Sequence, residues 1–565
     1  MSVAGRRWVL LILGGGLLLR LWNIDYPDWK FSDEQNVIDR ALLLGAHGPN
    51  PGWFIYPSLF FYVLFPLDAA LYLAGRVAGV FSSSADFAAF YFAHPLVLHL
   101  VGRSVALILG MGCLAVCYRI GRDFWGHGVG LAAAALLAVS PTYVFAARLA
   151  KPDILMALLV LLACWAILRY LDAGRPALLV AAGLAIGLAA SAKYPAALAG
   201  IFLLVAPWVR QRDRRTVVLV IVAVAAAGAG FLVGTPFAAL DWRLFWSDFV
   251  RIAGAMERTH YGMELRLGYV YYVLEVLPSA FGWPAAVLAL AGWTRWLVWG
   301  GARERLLAGF SGALYGWMGY SRIAGDLYIL PVYPILALAA ADLVVAATAG
   351  LRVARPGLSR WVVGALAVVC LLPPLTASVK DTLLLSARET RELAGAWLVG
   401  HLPPGTRILS EPYGPFVPVI RGRLDEILAD EEPRRPGRGM RTRFERDRAR
   451  ADAGFWYHEM ELLSDAIGGQ PFLDDYDLDR FLARGFRVVV LSSAVYDRYR
   501  HLPQRFPIQN AFFDRVSREG TLIARFDPGS PWCCATTLNA RLSEMAVAVW
   551  GRPGSTLLVY RVAAR

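Results

Sequence analysis

The stretch RQRDRRTVVLVIVAVAAAGAGFLV, residues 210–233, decides the fold class of this chain. Residues 217–233 contain no polar side chain, and four arginines stand just before them. A helix of about 20 apolar residues spans the hydrocarbon core of a bilayer. Arginines clustered beside such a run mark the cytoplasmic end of the crossing. This stretch therefore predicts a membrane-spanning helix together with its orientation.

The composition extends this interpretation to most of the chain. Of 565 residues, 57% are hydrophobic and only 18% are charged, and the mean hydropathy is +0.49. A soluble chain of this length would carry more charge and divide into several domains. Apolar runs recur as far as residue 379, whereas dense charge and globular patterning follow. We therefore predict a polytopic α-helical transmembrane domain over residues 1–379 and an α/β domain over residues 380–565.

Eleven apolar runs are candidate spans, and the loops between them test the orientation. With Arg6 and Arg7 in the cytoplasm, every arginine-rich loop falls on that same side, as the positive-inside rule requires. The C-terminal domain then lies outside the cytoplasm, in a multi-pass protein of the cell (plasma) membrane. The large outer loops are residues 23–96 and 236–268. The candidate spans are 7–22, 97–118, 128–146, 153–171, 177–192, 194–209, 217–235, 269–294, 307–321, 327–348 and 361–379.

Two further stretches are ambiguous, and the arginine loops decide between the alternatives. Residues 56–80 are apolar enough to span, but a crossing there would turn the following arginine loops outward. We therefore predict an interfacial amphipathic helix for this stretch. Residues 177–209 could form one long helix, but a single crossing would place the arginines at 210–215 outside. We predict two crossings with a turn at residues 193–195.

The formal net charge of +13 does not indicate a nucleic-acid partner. In a soluble protein such an excess would suggest one, but most of it lies in short loops between spans, where it sets topology. Lysine is rare, with four lysines among 56 basic residues, so each lysine is of interest. They are Lys30, Lys151, Lys193 and Lys380, and the first three fall on the predicted outer face.

The first outer loop contains FSDEQNVIDRALLL, residues 31–44, in which Asp33 and Glu34 begin a predicted helix. Carboxylates at this place either cap the helix N-terminus or supply acid–base chemistry. The loop continues with NPGWFIYPSLFFY, residues 50–62, which is rich in aromatic residues and proline. Tyr56 in this segment belongs either to an interfacial aromatic belt or to the wall of a binding site.

A second charged segment, ARLAKPD at residues 147–153, lies at the outer ends of two predicted spans. Its Arg148, Lys151 and Asp153 could bind a phosphate and position a reacting group. Alternatively the two cations reach toward the lipid interface and Asp153 caps the next helix. Both alternatives place the charges at the outer membrane surface.

Further candidates share this predicted face. Three compact ammonium groups converge there in a protein that otherwise uses arginine, which favours a polar site over isolated snorkelling lysines. A charge inside a span is costly unless it is paired or lies at the interface, and a lone histidine is most often structural. The additional residues that we expect to line the site are Lys30, Arg103, Lys193, Tyr194, His260 and Arg322.

At these residues the chain resembles the glycosyltransferase C superfamily, and most of all the branch of protein O-mannosyltransferases and the lipid A aminoarabinose transferase. The order, spacing and shared sidedness of several segments carry the resemblance, which runs over most of the membrane domain. These segments are Asp33-Glu34, YPSLFFY (56–62), GRSVALILG (102–110), LAVSPTYVFAARLAKPD (137–153), GLAIGLAASAKY (183–194), GTPFAALD (234–241) and ILPVYPILALAAA (329–341).

The resemblance implies a membrane glycosyltransferase that takes mannose or another sugar from a polyprenyl-phosphate donor. The first-loop aspartate is the presumed base in such enzymes, here Asp33, with Glu34 and Asp153 as further candidates. A carboxylate can take the acceptor proton during inverting attack, and the acceptor is a hydroxyl of a protein, lipid or glycan on the outer side. The phosphate leaving group needs cations instead of an acid. Those available are Arg148, Lys151, Lys193 and Arg322.

A divalent cation, held by Asp33 and Asp153, could take the place of these basic side chains. The abundance of arginine makes a metal less needed, and no metal spacing of cysteine and histidine is present. We therefore predict no certain cofactor and keep the divalent cation as an alternative.

Two departures separate the chain from members of this branch. The aminoarabinose transferase carries a charged element at the place of Tyr56-Pro57. Relatives often show an arginine just before a tyrosine that corresponds to Tyr328, where this chain has Leu327. Arg322 could compensate for the missing arginine.

A transporter or flippase for lipid-linked sugars is the alternative function, because it would use the same charges as a substrate path. Transporters usually carry internal repeats, and no repeat relates the two halves of this chain. The large first loop and the outer domain favour catalysis.

The C-terminal part predicts a small α/β domain without a functional motif of its own. Residues 387–414 predict a helix, a turn and a strand. Residues 421–450 carry mixed charge and predict a solvated or disordered loop. Further strands are predicted at 487–491, 521–526 and 556–562, and further helices at 475–484 and 540–547.

Overall fold

The computed structural model describes residues 3–27, 32–257, 268–321, 325–431, 440–449, 453–460, 473–501, 503–528 and 555–563. The chain divides into two compact units. The first comprises Met1–Phe81, Leu96–Ala253 and Leu265–Thr382, and the second comprises Ser82–Pro95, Gly254–Glu264 and Leu383–Arg565. Within the described residues, the first unit consists of helices and loops, and the second contains a five-stranded sheet.

Long apolar helices dominate the chain as far as residue 385, as the apolar runs predict. Short 3₁₀ turns cover Tyr194–Gly200 and Asp326–Ile329, and a π-helical turn covers Tyr272–Val276. The α-helices are, in chain order, α1 (Val3–Leu21), α2 (Ser32–His47), α3 (Leu59–Val77), α4 (Ser84–Ala93), α5 (Leu96–Phe124), α6 (His127–Val139), α7 (Pro141–Ala146), α8 (Asp153–Ala173), α9 (Pro176–Ala192), α10 (Ile201–Arg210), α11 (Arg214–Gly234), α12 (Phe237–Leu240), α13 (Trp242–Glu257), α14 (Gly268–Tyr271), α15 (Leu277–Trp299), α16 (Ala302–Tyr320), α17 (Val332–Ala354) and α18 (Pro356–Leu385).

Seven helical segments among the described residues are long and apolar enough to cross a membrane. They are α3, α5, α8, α11, the segment from α14 to α15, α17 and the segment that begins with α18. Three shorter apolar segments contain α6, α9 and α10. The predicted fold class, a polytopic α-helical membrane protein with a C-terminal α/β domain, is confirmed. The count of eleven spans stays a prediction, as does the interfacial position of residues 56–80, because α3 is long enough to span.

The predicted span 128–146 is not continuous but breaks at Ser140, between α6 and α7. Pro141 explains the break, because proline has no N–H to offer to the carbonyl of Leu137 and disfavours helical backbone at the preceding residue. The carbonyl groups at the end of α6 therefore need donors from elsewhere in the unit.

Two side chains supply these donors. Arg20 of α1 donates to the carbonyl oxygens of Leu137 at 3.2 Å and Ala138 at 3.0 Å. Ser378 of α18 donates to the carbonyl oxygen of Val139 at 2.7 Å. A cation is favourable at this place because the C-terminal end of a helix carries partial negative charge. The first and last long helices of the first unit therefore stabilise the break together.

The predicted helix break near residue 193 is confirmed. Helix α9 ends at Ala192, Lys193 has an extended backbone, and the 3₁₀ turn Tyr194–Gly200 leads into α10. Pro195 has no N–H to continue the α-helical hydrogen bonds, so the helix cannot run on. The break leaves Lys193 at a helix end, where its ammonium can reach groups on neighbouring elements.

Helix α9 is fixed against α11 by close contact between their backbones. A Cβ atom added at Gly187 would lie 2.0 Å from the carbonyl oxygen of Ala227, and one added at Gly183 would lie 2.4 Å from that of Ala223. Small residues permit such an approach between helices of membrane proteins. The contact sets the position of α9 and hence of Lys193 at its end.

The second unit is built around a mixed sheet of five strands. The strands are β1 (Arg407–Ser410), β2 (Trp456–Glu459), β3 (Val488–Ser492), β4 (Gly520–Phe526) and β5 (Leu557–Val562). Their order is β2-β1-β3-β5-β4, in which β1 is parallel to β2 and β3, and β5 is antiparallel to β3 and β4. The helices that follow α18 are α19 (Thr390–His401), α20 (Arg421–Glu431), α21 (Met440–Arg448), α22 (Leu478–Ala483), α23 (Ser493–Arg500) and α24 (Pro507–Glu519).

Alternating apolar residues build a core on each face of this sheet. In β3, Val488 and Val490 pack into one cluster of buried side chains, and Val489 and Leu491 pack into the other. Successive side chains of a strand point to opposite faces, so a continuous apolar strand is covered on both sides. The predicted strands that correspond to β1, β3, β4 and β5 are confirmed, and β2 was not predicted.

The prediction of a loop over residues 421–450 is wrong where α20 and α21 form. Leu424 and Leu428 of α20 are buried, and Arg441 of α21 pairs with Glu445 one turn later at 3.2 Å. The buried leucines and the local ion pair stabilise these helices, which the mixed charge of the sequence did not indicate. The predicted helix at 540–547 lies outside the described residues.

Replacing Arg20 by methionine should lower the melting temperature of the purified protein. The substitution removes the donors from two buried carbonyl groups, and each orphaned group costs about 1–3 kcal/mol. Thermal unfolding in detergent, followed by tryptophan fluorescence, measures the change. Arg6→Met is the control, because Arg6 is exposed on the same helix. Equal melting temperatures for the two variants would contradict the capping role of Arg20.

Candidate active site

Asp33 and Glu34 lie in the first turn of α2. Adjacent residues of an α-helix point about 100° apart, so the two carboxylates face different surroundings. The Glu34 side chain is 0% exposed, whereas the Asp33 side chain is 46% exposed. The acidic pair of the sequence is therefore one buried carboxylate and one accessible carboxylate.

The buried Glu34 carboxylate is engaged on both oxygens. Its Oε2 lies 2.7 Å from Nη2 of Arg103 and its Oε1 lies 3.1 Å from Nε, which makes a bidentate ion pair. The backbone N–H of Ala150 donates to Oε1 at 2.8 Å, and the Tyr26 hydroxyl lies 3.1 Å from Oε2. These contacts suit Glu34 for holding the first turn of α2 in place.

Arg103 of α5 is the partner that makes this burial tolerable. A charge inside a membrane span is costly unless it is paired, and the Arg103 side chain is paired with Glu34 at 0% exposure. Its Nη1 also donates to the carbonyl oxygens of Tyr26 at 2.6 Å and Ile24 at 3.0 Å. Arg103 therefore joins α5, α2 and the loop between α1 and α2, and these contacts occupy it.

Gly102 allows the segment before α8 to approach α5. A Cβ atom at this position would lie 2.7 Å from Cβ of Ala150. Only glycine avoids that clash, and the close approach brings the N–H of Ala150 within reach of Glu34. The charged segment 147–153 is thereby fixed beside the start of α2.

The accessible Asp33 carboxylate pairs with Lys151 of this segment. Nζ of Lys151 lies 2.7 Å from Oδ2 of Asp33, and the lysine side chain is 7% exposed. The Lys151 ammonium holds the pKa of the Asp33 carboxyl below its ordinary value, against the effect of burial. Burial, the largest influence, would lower the pKa of Lys151, but the nearby acidic groups of Asp33, Tyr56 and Asp153 together outweigh it and raise this pKa. Both groups are therefore ionised at neutral pH.

A second ion pair joins Asp153, the first residue of α8, to Lys193 after α9. Nζ of Lys193 bonds Oδ1 of Asp153, and the side chains are 8% and 2% exposed, respectively. Oδ2 of Asp153 has no hydrogen-bond partner among the described residues. The charge of Asp153 acts on Lys151, and that of Lys151 acts on Lys193, so the two pairs form one cluster.

Two tyrosines border the cluster. The charges of Asp33 and Lys151 act on Tyr56, which places its hydroxyl beside the first pair. Nζ of Lys193 lies 4.8 Å from the ring centroid of Tyr328, within cation–π range. Tyr56 is a predicted site residue, whereas Tyr328 was not predicted as one. A tyrosine beside a proline-rich apolar stretch carries no distinguishing signal in a single sequence.

Tyr194 and Arg148, which the sequence analysis included, make contacts within the protein. The Tyr194 hydroxyl donates to the carbonyl oxygen of Phe54 at 2.7 Å and fixes the loop that carries Tyr56. Arg148 is 1% exposed, and its guanidinium donates to Oγ1 of Thr382 at 2.9 Å and to the carbonyl oxygen of Trp22. These contacts stabilise the surroundings of the cluster, and the contact of both residues with substrate stays a prediction.

The remaining predicted residues cannot be placed in the cluster. Lys30, His260 and Arg322 lie outside the described residues. The structure thus brings together five residues that the sequence analysis named, in two ion pairs with an adjoining aromatic ring. They are Asp33, Tyr56, Lys151, Asp153 and Lys193.

Among the described residues, no group of three or more histidine, cysteine, aspartate and glutamate side chains is arranged to hold a metal ion. Asp33 and Asp153, the two candidate ligands, each carry a lysine ammonium on one oxygen. A bound cation would have to share these carboxylates with the two ammonium groups. Chemically, the cluster offers an accessible ionised carboxylate next to two positive charges.

Several solved structures are similar to this chain. ArnT from Cupriavidus metallidurans, crystallised with undecaprenyl phosphate, is 14% identical, with a TM-score of 0.44 and coverage of 99% of this chain and 98% of that chain. The oligosaccharyltransferase AglB from Archaeoglobus fulgidus, in complex with an inhibitory peptide and a dolichol-phosphate, is 12% identical, with a TM-score of 0.49 and coverage of 92% and 73%. No curated protein matches the chain by sequence.

A sequence family supplies the remaining comparison. The sequence model of the family described as dolichyl-phosphate-mannose-protein mannosyltransferase matches residues 97–237. This segment contains four charged residues of the two networks described above, namely Arg103, Lys151, Asp153 and Lys193. Over residues 97–237 the chain therefore resembles the family of dolichyl-phosphate-mannose-protein mannosyltransferases, as the sequence analysis predicts.

Proposed function

We propose that this protein is a glycosyltransferase that moves a sugar from a polyprenyl phosphate to an acceptor hydroxyl, with inversion at the anomeric carbon. The observation that supports this proposal most is the accessible Asp33 carboxylate beside the ammonium groups of Lys151 and Lys193. The family match over residues 97–237 supports the donor class. The sugar is mannose or a similar sugar, and the acceptor is a protein, a lipid or a glycan.

Asp33 acts as the general base in this proposal. The oxygen of the acceptor hydroxyl forms a bond to the anomeric carbon while its proton passes to the Asp33 carboxylate. The carboxylate is ionised because Lys151 holds its pKa low, and it can be reached because nearly half of the side chain is exposed. Glu34 is a positioning residue, since its ion pair with Arg103 fixes the helix turn that carries Asp33.

Lys151 and Lys193 stabilise the departing phosphate. When the bond between the anomeric carbon and the phosphate oxygen breaks, the electron pair stays on the phosphate, which gains negative charge. Each ammonium group has three N–H donors, and each lysine donates one of them to a carboxylate. The remaining donors can bind the phosphate oxygens, where charge develops in the transition state.

We also propose that the protein lies in the cell membrane, with its N-terminus in the cytoplasm and its second unit on the outer side. The support for this orientation is the arginine-rich loops, which all fall on one side when the spans are counted from a cytoplasmic N-terminus. The two ion pairs then belong to the outer face.

Asp33→Asn should reduce the turnover number for sugar transfer about 10²–10⁴-fold, because an amide cannot accept the proton. The assay uses the purified protein in liposomes, labelled polyprenyl-phosphate sugar and an acceptor membrane extract. Asp25→Asn is the matched control, since Asp25 is an exposed aspartate of the same loop. Undiminished transfer by Asp33→Asn would rule out the base assignment. Movement of the donor between leaflets without transfer would support the transporter alternative.

Lys151→Gln should move the acid limb of the kcat/KM profile to higher pH. Asp33 is a base that works above its pKa, so activity is lost as the pH falls through that value. Lys151 lowers this pKa and burial raises it, so removing the lysine raises it by about 1–3 pH units. The pH profile is measured with saturating acceptor between about pH 3 and 8, a range that includes the ordinary aspartate pKa of about 4. An unmoved acid limb at reduced activity would show that another group titrates.

A membrane-impermeant maleimide added to intact cells should label Ser517→Cys in α24 and leave Arg212→Cys, between α10 and α11, unlabelled. Both variants are made after the six native cysteines have been replaced by serine. Permeabilised cells provide the control, because both positions are then open to the reagent. The reverse labelling pattern would overturn the proposed orientation.

A further inference from the structure

A second polar cluster lies near Asp153, at the 3₁₀ turn Asp326–Ile329. Asp326 is half-buried, and its Oδ1 accepts the backbone N–H of Leu327 at 3.0 Å. The charges of Asp153 and Lys151 act on this carboxyl, which therefore lies near both ion pairs. Burial raises the pKa of the Asp326 carboxyl above its ordinary value. The proposed transfer chemistry leaves this acid without a role.

Tyr271 is a buried tyrosine that interacts electrostatically with the same acid. The residue is 1% exposed, it lies within electrostatic reach of Asp326, and its hydroxyl has no hydrogen-bond partner among the described residues. Buried hydroxyls in proteins are nearly always hydrogen-bonded. The exception is notable because three neighbouring tyrosines follow the rule. These are Tyr272 bonded to the carbonyl of Gly325 at 3.3 Å, Tyr333 to that of Asp326 at 2.9 Å, and Tyr143 to that of Leu330 at 3.2 Å.

A second such atom belongs to Asp153, whose charge acts on Asp326. Oδ2 of Asp153 is buried without a hydrogen-bond partner in the described part of the chain, while Oδ1 is bonded to Lys193. A carboxylate oxygen can accept two hydrogen bonds, and a tyrosine hydroxyl can both donate and accept. The described residues therefore leave the Tyr271 hydroxyl and Oδ2 of Asp153 without hydrogen-bond partners, and both residues interact electrostatically with Asp326.

The backbone is irregular at the same place. Tyr271 ends α14 and stands directly before the π-helical turn Tyr272–Val276. Both Tyr271 and Tyr272 lie within electrostatic reach of Asp326, although they are adjacent in sequence. Single π turns inside α-helices occur frequently at functional sites. Here the turn coincides with the unsatisfied tyrosine.

We propose that Asp326, Tyr271 and Oδ2 of Asp153 bind hydroxyl groups of the sugar that is transferred, and so decide which sugar the protein accepts. This inference rests on the proposed function, since it assigns the sugar-binding part of that same site. Sugar hydroxyls are both donors and acceptors, which matches an acceptor on each carboxylate and a tyrosine hydroxyl that serves as either. Bound sugar would complete the hydrogen bonds that the protein leaves open.

The test combines side-chain deletion with hydroxyl deletion from the sugar. Tyr271→Phe and Asp326→Asn are compared with the native protein on polyprenyl-phosphate sugars that each lack one hydroxyl. Each variant should bind the complete sugar about tenfold more weakly, as expected for losing one hydrogen bond in a buried site. Each should also discriminate less than the native protein against one particular deoxy sugar, because the deleted partner no longer has a bond to lose.

Tyr143→Phe is the matched control. It removes one hydroxyl from a buried tyrosine of the same unit, but that hydroxyl is bonded to the carbonyl of Leu330. We expect Tyr143→Phe to lower the melting temperature and leave sugar discrimination unchanged. Tyr271→Phe should weaken sugar discrimination and leave the melting temperature nearly unchanged, because its hydroxyl has no hydrogen-bond partner among the described residues. This contrast separates sugar binding from a general loss of structure.

Equilibrium binding of labelled donors to the purified protein is measured alongside transfer, so that the two proposals fail separately. Binding that discriminates between deoxy sugars in the native protein and loses this discrimination in Tyr271→Phe or Asp326→Asn supports the inference, even if no transfer occurs. Absence of transfer from every donor would then reject the proposed function alone. If both variants discriminate between the sugars exactly as the native protein does, or if the native protein binds none of them, the inference is overturned.

Discussion

The buried ion pair between Glu34 and Arg103 is the interaction on which the candidate site depends. Neither charge is tolerable alone in the interior of a membrane domain, and their bidentate contact at 0% exposure satisfies both. Because Glu34 also accepts the N–H of Ala150, the pair ties together α2, α5 and the segment that carries Lys151. Asp33 is held against Lys151 as a result. An inert carboxylate thus sets the position of its accessible neighbour.

The other charges of the site depend on helix ends. Asp153 begins α8 and Lys193 follows the last residue of α9. A carboxylate is favourable at a helix N-terminus and an ammonium at a C-terminus, so each helix stabilises the charge it presents. Pro152 and Pro195 mark these two places in the sequence. Breaks in apolar helices therefore allow a polar cluster to form inside a largely apolar unit.

Much of this could be predicted from the sequence, because the relevant signals are local. The apolar runs predicted the helices, and the proline at residue 195 predicted the break after α9. The rarity of lysine in the chain singled out Lys151 and Lys193 as candidate site residues. The rest depends on contacts between distant segments. Nothing near Glu34 indicates that Arg103, far along the chain, would neutralise it, and nothing near Arg148 indicates that it turns toward Thr382. Asp326 was missed for the same reason, since only the fold brings it to Asp153.

The hydrogen bonds that cap the end of α6 come from α1 and α18, the first and last helices of the first unit. During synthesis, α1 and α6 leave the ribosome long before α18. Until α18 is inserted, the carbonyl of Val139 lacks the hydroxyl of Ser378, and Arg148 lacks that of Thr382. The helix bundle therefore gains these two contacts only once α18 has been inserted, and a chain that stops before α18 lacks both of them. Such a chain is less stable than the complete bundle, and less stable chains are more exposed to proteolysis.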